Sequence, residues 1–165
     1  MRVLFVRHAE AVDRDEFRGS DMLRPLTGQG LRDAKKAYAR LTRLYPRPDA
    51  IFSSEAVRAK ETADVVAASF RRIKVKTTPL LNPGSDIREF RQLIKTLPTG
   101  LEFIVLVGHE PDISRTIAQI TSGGDLDLRV KKGACAEVRL NDHLRGELTA
   151  LLPLAALTDA VKERD

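Results

Sequence analysis

The stretch Val3-Leu4-Phe5-Val6-Arg7-His8-Ala9-Glu10 decides how this chain is read. Four apolar residues run directly into an arginine, a histidine and, two residues on, a glutamate. About a hundred residues later Ile104-Val105-Leu106-Val107-Gly108-His109-Glu110 repeats the arrangement. A short continuous apolar run is the mark of a strand buried on both faces. In an open α/β sheet, ligands bind beyond the carboxyl ends of such strands. The charge therefore begins where each buried strand emerges into a cleft. If the two strands are neighbours, His8 and His109 face the same space; the pattern permits that adjacency without requiring it.

The remaining segments fit the same plan. A strand over about Arg2 to Arg7 leads into a loop with Asp13, Asp15, Glu16 and Arg18. Thr27 is suited to cap a helix striped by Leu31, Ala34, Tyr38, Leu41 and Leu44, which Pro46 and Pro48 stop. A second strand covers Asp49 to Ser53. Ser53-Ser54 offers the N-cap of a helix whose inward stripe is Ala59, Ala63, Val66 and Phe70. A third strand spans Ile73 to Thr77, and Pro79 to Ser85 is a loop. Ile87, Phe90, Ile94 and Leu97 stripe a third helix, and Glu102 to Val107 is a fourth strand. Pro111 suits the first turn of a fourth helix, with Ile113, Ile117 and Ile120 inside and Gly123-Gly124 at its close. Ala134, Ala136, Val138 and Leu140 then alternate with Cys135, Glu137 and Arg139, as in a half-buried strand. Asn141-Asp142-His143 turns the chain, and Glu147 to Leu152 runs back. The expected fold is an α/β three-layer sandwich with a mostly parallel sheet and a C-terminal antiparallel hairpin, one domain over residues 1–165.

The bulk numbers set limits. The chain has 165 residues, 42% hydrophobic and 31% charged. No apolar run approaches the ~20 residues that span a bilayer. The N-terminal apolar run is too short for a signal peptide. One cysteine, Cys135, cannot form an internal disulfide, which suits a reducing compartment. A cytoplasmic protein with no membrane partner is expected. The net charge of +5 is spread among acids. Its densest cluster, Arg71-Arg72-Ile73-Lys74-Val75-Lys76, reads as an edge strand with one wet face, where lysines discourage sheet-to-sheet pairing. No nucleic-acid partner is expected, while a mild positive field favours anionic substrates.

Two histidines at strand ends suit a metal or an anion, or simply cap loops. A metal site wants three protein ligands. His143, the third histidine, belongs to the distal turn, and Arg7 beside His8 repels a cation. Phosphate fits better: arginine's planar fork matches its oxygens. Arg58 stands just past the second strand, and the fourth helix begins beside His109 with free N–H groups. Arg58 has a rival role, pairing with Glu55 or Glu61 on its own helix.

These residues resemble a family. Leu4-Phe5-Val6-Arg7-His8-Ala9-Glu10 is similar to the RHG motif of the histidine phosphatase (phosphoglycerate mutase-like) superfamily, with Ala9 where glycine is usual. Within it the chain resembles the SixA-type phosphohistidine phosphatases. Arg24-Pro25-Leu26-Thr27-Gly28-Gln29-Gly30, Ser53 to Ala63, Leu80-Leu81-Asn82-Pro83-Gly84 and Val107-Gly108-His109-Glu110-Pro111 follow in the family's order. The resemblance implies that His8 is a nucleophile carrying a transient phosphoryl group, held by Arg7, Arg58 and His109, with no cofactor or metal. His8 must be neutral to attack, whereas His109 is expected to be protonated. Arg18 and Arg24 are candidates for the cleft mouth, or ordinary loop arginines. Asp86 is a candidate general acid, or the N-cap of the helix starting at Ile87. A weak acid suits a leaving group that departs easily, so the expected substrate is phosphohistidine on a partner protein. A small phosphomonoester is the alternative, as is a module that binds phosphate without turnover.

Overall fold

The computed structural model describes residues 1–158. In chain order the elements are β1 (Arg2–Arg7), α1 (Gly28–Leu44), β2 (Ala50–Ser53), α2 (Val57–Ser69), β3 (Val75–Thr77), α3 (Ile87–Thr96), β4 (Phe103–Gly108), α4 (Asp112–Ser122), β5 (Cys135–Leu140), β6 (Gly146–Leu152) and α5 (Leu154–Thr158). Single turns of 3-10 helix sit at Asp21–Leu23 and Pro79–Leu81. One six-stranded sheet runs in the order β3-β2-β4-β1-β5-β6. The first four of these are mutually parallel, and β5 and β6 are antiparallel to their neighbours. This is the expected three-layer sandwich, with the hairpin at one edge.

The central strands sort their side chains by alternation. Leu4, Val6, Ile51, Val105 and Val107 pack under α1, α2 and α5. Val3, Phe5, Phe52, Ile104 and Leu106 pack against α3 and α4. Both faces are covered, which is why β1 and β4 read as unbroken apolar runs rather than alternating ones. The pairing of β1 with β4 brings Arg7 opposite Gly108. The chain exits both strands at the same edge of the sheet, and His8 N–H donates to Gly108 O at 3.0 Å.

Several expectations are corrected. Leu44 is 56% exposed, so the buried stripe of α1 is Gly30, Ala34, Ala37, Tyr38 and Leu41. Leu44 belongs to the fraying last turn, where position no longer dictates burial. The third strand is shorter than Ile73 to Thr77, because Arg71 and Arg72 occupy left-handed backbone at φ 62° and 56°. The edge placement of this strand stands: β3 is terminal in the sheet, and Lys76 lies over the Phe52 ring at 5.7 Å. Strand β5 is not half-buried. Cys135 and Glu137 are buried as well, because the face carrying them is covered in part by α5, whose Leu157 joins the same core.

The loop after β1 is tied to the start of α1. Thr27 caps that helix, its Oγ1 accepting from Gly30 N–H at 2.8 Å, and its own N–H donates to Glu10 O at 3.0 Å. Gly30 is packed so closely that a Cβ there would stand 2.2 Å from Glu10 O. Backbone cannot yield as a flexible side chain can. Gly30→Ala is therefore expected to destabilise the fold by roughly 2–3 kcal/mol, the upper range for forced overpacking. Urea denaturation measures it, and a loss under about 0.5 kcal/mol, the scale of an inert surface change, contradicts the packing described.

Candidate active site

Four side chains gather at the carboxyl edge of the sheet. Arg7 ends β1 and His8 follows it; His109 follows β4; Arg58 lies in the first turn of α2. The two imidazole rings have centroids 5.2 Å apart, inclined by 54°. His8, His109 and Arg58 are 7%, 3% and 3% exposed. The adjacency that the sequence only permitted is thus present.

The geometry fixes the state of His8. Its Nδ1 is 2.7 Å from Ala9 O, an acceptor only, so Nδ1 carries the hydrogen and Nε2 keeps a lone pair. Burial, followed by the charges of Arg58, Arg7 and Arg24, pushes the imidazole down to about 4; the Ala9 hydrogen bond works in the other direction. Ala9 itself is locked by its N–H donating to Thr62 Oγ1 at 3.1 Å, and Thr62 Oγ1 donates to Arg58 O at 2.7 Å. The nucleophile candidate and the first turn of α2 thereby share one network. Ala9 has no positive φ, so it occupies the usual glycine position without strain.

His109 corrects an expectation. Burial, then the charges of His8 and Arg58, pushes it down to about 3. Both imidazoles are neutral at neutral pH, and the two are not held in opposite states. Its Nε2 is 2.9 Å from Ser54 Oγ, while Nδ1 is buried without a partner among the described residues. Arg7 donates from an Nη to Val130 O at 3.1 Å, and its Nε is likewise buried with no partner among them.

Arg58 pairs with neither Glu55 nor Glu61. Its two Nη groups donate to Asp21 O at 2.6 Å and Asp21 Oδ2 at 2.8 Å, leaving Nε buried with no partner among the described residues. Glu61 instead accepts the Leu26 N–H, and Glu55 accepts from Asn82. Asp21 also accepts from Arg24 Nε at 3.0 Å. Burial works against the Asp21 charge, but Arg24 and Arg58 outweigh it and hold the carboxyl below its usual range. Arg24 is drawn into the cluster through this carboxylate and through its bond to Val12 O at 2.7 Å. Arg18 is exposed on the loop and makes no hydrogen bond or ion pair with the described residues.

Asp86 takes the capping role. Its carboxylate accepts from Arg88 N–H and from the Arg88 guanidinium, and Glu89 reaches back to the Asp86 N–H in a capping box. Hydrogen bonding to the Arg88 side chain, foremost, holds the carboxyl well below the carboxylate range. An acid so readily ionised is poorly suited to protonate a leaving group. Three residues that the sequence did not assign to the site also meet here: Asp21, Glu110 and Ser54, the last expected only as an N-cap. Ser54 does not cap α2, whose N-cap Ala56 has no side-chain bond. Glu110 accepts a short hydrogen bond from Ser114 Oγ. Burial raises its carboxyl, and Arg7 opposes that. Arg7 and Glu110 border a cleft of about 520 Å³ beside α4.

Two guanidinium N–H groups, Arg7 Nε and Arg58 Nε, buried without partners among the described residues beside a neutral imidazole, suit a tetrahedral oxyanion. Residues 3–83 match the family model described as "Histidine phosphatase superfamily (branch 1)". With the sheet order and the paired strand ends, those residues carry the signature of the histidine phosphatase superfamily, whose enzyme class is phosphatase. An uncharacterized protein of Picosynechococcus sp. is 29% identical over 161 residues, covering 92% of this chain and 95% of that one. The structure of the protein histidine phosphatase SixA complexed with tungstate superposes with a TM-score of 0.85 at 21% identity, over 95% of this chain and 99% of that one. Alpha-ribazole phosphatase from Shigella flexneri gives 0.73 at 19% identity, over 93% and 97%. At these identities the structural likeness is one of fold. Among the described residues no helix is long and apolar enough to cross a membrane.

The lowered histidines have a consequence for stability. An unfolded imidazole titrates near ~6.5, whereas the folded His8 and His109 do so at about 4 and about 3. Between those values the unfolded chain binds more protons, so this contribution is full above about pH 6.5 and is lost as pH falls. His8→Gln should reduce the slope of stability against pH between 6.5 and 4 by about 1 kcal/mol per pH unit. Urea titrations across that range measure it, and an unchanged slope rejects the buried neutral imidazole.

Proposed function

We propose that the chain transfers a phosphoryl group to His8 and then to water, and that its substrate is phosphohistidine on a partner protein. The observation that carries the first part is the state of His8: Nδ1 tied to Ala9 O, Nε2 bare, and cations on either side. The Nε2 lone pair attacks phosphorus, and a new N–P bond forms as the substrate's P–N bond breaks. The electron pair of the broken bond stays on the departing imidazole, which takes a proton from solvent. Water then attacks phosphorus, the pair returns to Nε2, and phosphate leaves with the proton balance made by solvent. Arg7, Arg58 and His109 are the groups proposed to meet the phosphoryl oxygens, where positioned donors stabilise the spread charge.

The leaving group follows from the acids. Asp86 is committed to a cap and a guanidinium. Imidazole needs little help to depart, because it accepts its proton near neutral pH. Exchange of one P–N bond for another is close to isoenergetic. The segment between β3 and α3, residues 78–86, carries no large insertion to fence the site, as a protein-borne substrate requires. Glu110 favours a second reading, a small phosphomonoester. Burial raises its carboxyl, the direction a general acid needs, and it borders a cleft beside Arg7, although neither His8 nor His109 lines that cleft.

Incubation with labelled phosphoramidate or acetyl phosphate, quenched in alkali, tests the covalent step. Acid-labile label is expected in the wild type and not in His8→Ala; no label with any donor leaves a binding module. Arg58→Ala should lower turnover by roughly 10²–10³-fold, the scale of one oxyanion donor, while Arg14 and Arg24 still neutralise Asp21. Near-normal turnover would assign Arg58 to structure alone. Glu110→Gln decides the second reading: it should lose ~10²-fold or more on monoesters if that carboxyl is the acid, and undiminished monoester turnover excludes it.

A further inference from the structure

The hydrogen bonds behind His109 determine which of its nitrogens carries hydrogen. They begin at Asn82, whose Nδ2 donates to Glu55 Oε2 at 2.9 Å and whose Oδ1 accepts the Glu55 N–H at 2.9 Å. A carboxylate only accepts and a backbone N–H only donates, so these two contacts orient the amide. Ser54 Oγ is 2.9 Å from that same Oδ1. An amide oxygen only accepts, so the single hydroxyl hydrogen of Ser54 is committed to it. The Ala56 N–H donates to Ser54 Oγ at 3.1 Å, and His109 Nε2 stands 2.9 Å away. With its hydrogen committed, Oγ can only accept from His109. Nε2 is therefore the N–H, and the Nδ1 of a neutral ring is a bare lone pair. That Nδ1 is buried with no partner among the described residues.

We infer that Glu55, Asn82 and Ser54 are positioning residues that lock His109 as its Nε2–H tautomer, so that the site takes a phosphoryl group together with one proton. The inference rests on the phosphoryl-binding reading of the site given above. Nδ1 and a fully ionised phosphoryl oxygen are both acceptors and cannot bond to each other. One proton between them, on oxygen or on nitrogen, turns the contact into a charge-assisted hydrogen bond. The charged and titratable groups facing His109 are His8, Arg58, Asp21 and Arg24, with Asp86 and Asp112 lining the small cavity it borders. In the free protein their sum and the burial keep the ring neutral, so the proton arrives with the anion or is drawn from solvent on binding.

Calorimetry of methylphosphonate binding at about pH 9 tests this, because that far above a phosphoryl group's second ionisation near ~6 the ligand is a dianion and, unlike HPO4²⁻, has no P–OH of its own to donate. Running it in buffers of different ionisation enthalpy counts protons. About one proton should be taken up per phosphonate bound in the wild type. Ser54→Ala releases Nε2, allowing the Nδ1–H tautomer, and uptake should fall toward zero. Asn82→Ala frees the Ser54 hydrogen to donate to Nε2 and should do the same with Ser54 intact, while Ser54→Thr should restore uptake. A ¹⁵N–¹H correlation of the His109 ring should show Nε2–H in the wild type and a shift toward Nδ1–H in Ser54→Ala. Phosphonate binding without proton uptake, an Nδ1–H ring in the wild type, or unchanged variants would overturn the lock. Neither measurement reads turnover, so a lock that holds in a protein forming no phosphohistidine rejects only the function proposed above.

Discussion

The parallel ladder between β1 and β4 is the constraint on which the site depends. It sets Arg7 against Gly108, so the two chains leave the sheet in register and the next residue on each is a histidine. A slip of one residue would turn the apolar side chains of a strand to the opposite face. Here the two faces hold differently shaped sets, Leu4 and Val6 under α1 and α2, Val3 and Phe5 under α3 and α4. Packing therefore pins the register, and the register pins a ring separation of 5.2 Å. The geometry of the site is a by-product of filling the two cores.

Electrostatics then acts on a site already built. Buried imidazoles among guanidinium groups are driven neutral, because burial and like charge both oppose a second positive charge. The guanidinium groups stay charged, since arginine hardly loses its proton. The same burial that keeps His8 neutral would leave Arg58 costly, and Asp21 offsets this by accepting twice from it. Asp21 lies in a connecting segment with only a single 3-10 turn, yet that segment is closed on itself. Ala11 pairs with Leu26, Val12 N–H reaches Pro25 O, and Glu61 holds the Leu26 N–H. A loop held by so many backbone bonds can present a carboxylate as reliably as a helix does.

What the sequence made legible follows from period and from chemistry. The strands, the helices and the placing of His8, Arg58 and His109 just past strand ends could be read, because an apolar run that stops abruptly at charge marks a strand leaving the core; that those ends adjoin was only permitted, since no pattern within a strand names its neighbour. The exposed Leu44 could not, since periodicity does not say where a helix stops being covered. The burial of Cys135 and Glu137 could not, because it depends in part on α5, which carries no strong pattern of its own. Ser54 was legible as a cap by residue type. Only the fold shows its hydroxyl turned toward His109 and Asn82, residues far from it in the chain. Asp21 sits in a mixed-charge loop, where no spacing rule selects one acid over its neighbours.

Asp86 shows how a local preference and a catalytic role compete for one carboxylate. A carboxyl cap is favoured in its ionised form at the helix N-terminus, where the backbone N–H groups and the dipole stabilise negative charge. A general acid needs the reverse, a proton retained near neutral pH. Arg88 and the Glu89 capping box settle Asp86 in the first role. The carboxyl that burial does push toward protonation, Glu110, stands on the Arg7 side of the sheet edge, hydrogen-bonded to Ser114. The two groups through which a proton can reach the site thus stand on opposite flanks, Glu110 beside Arg7 and, by the inference drawn above, His109 with its anion. An acid for an alkoxide leaving group has to lie in line with His8 Nε2, whereas His109 addresses the phosphoryl oxygens, so the two flanks serve different parts of the transfer.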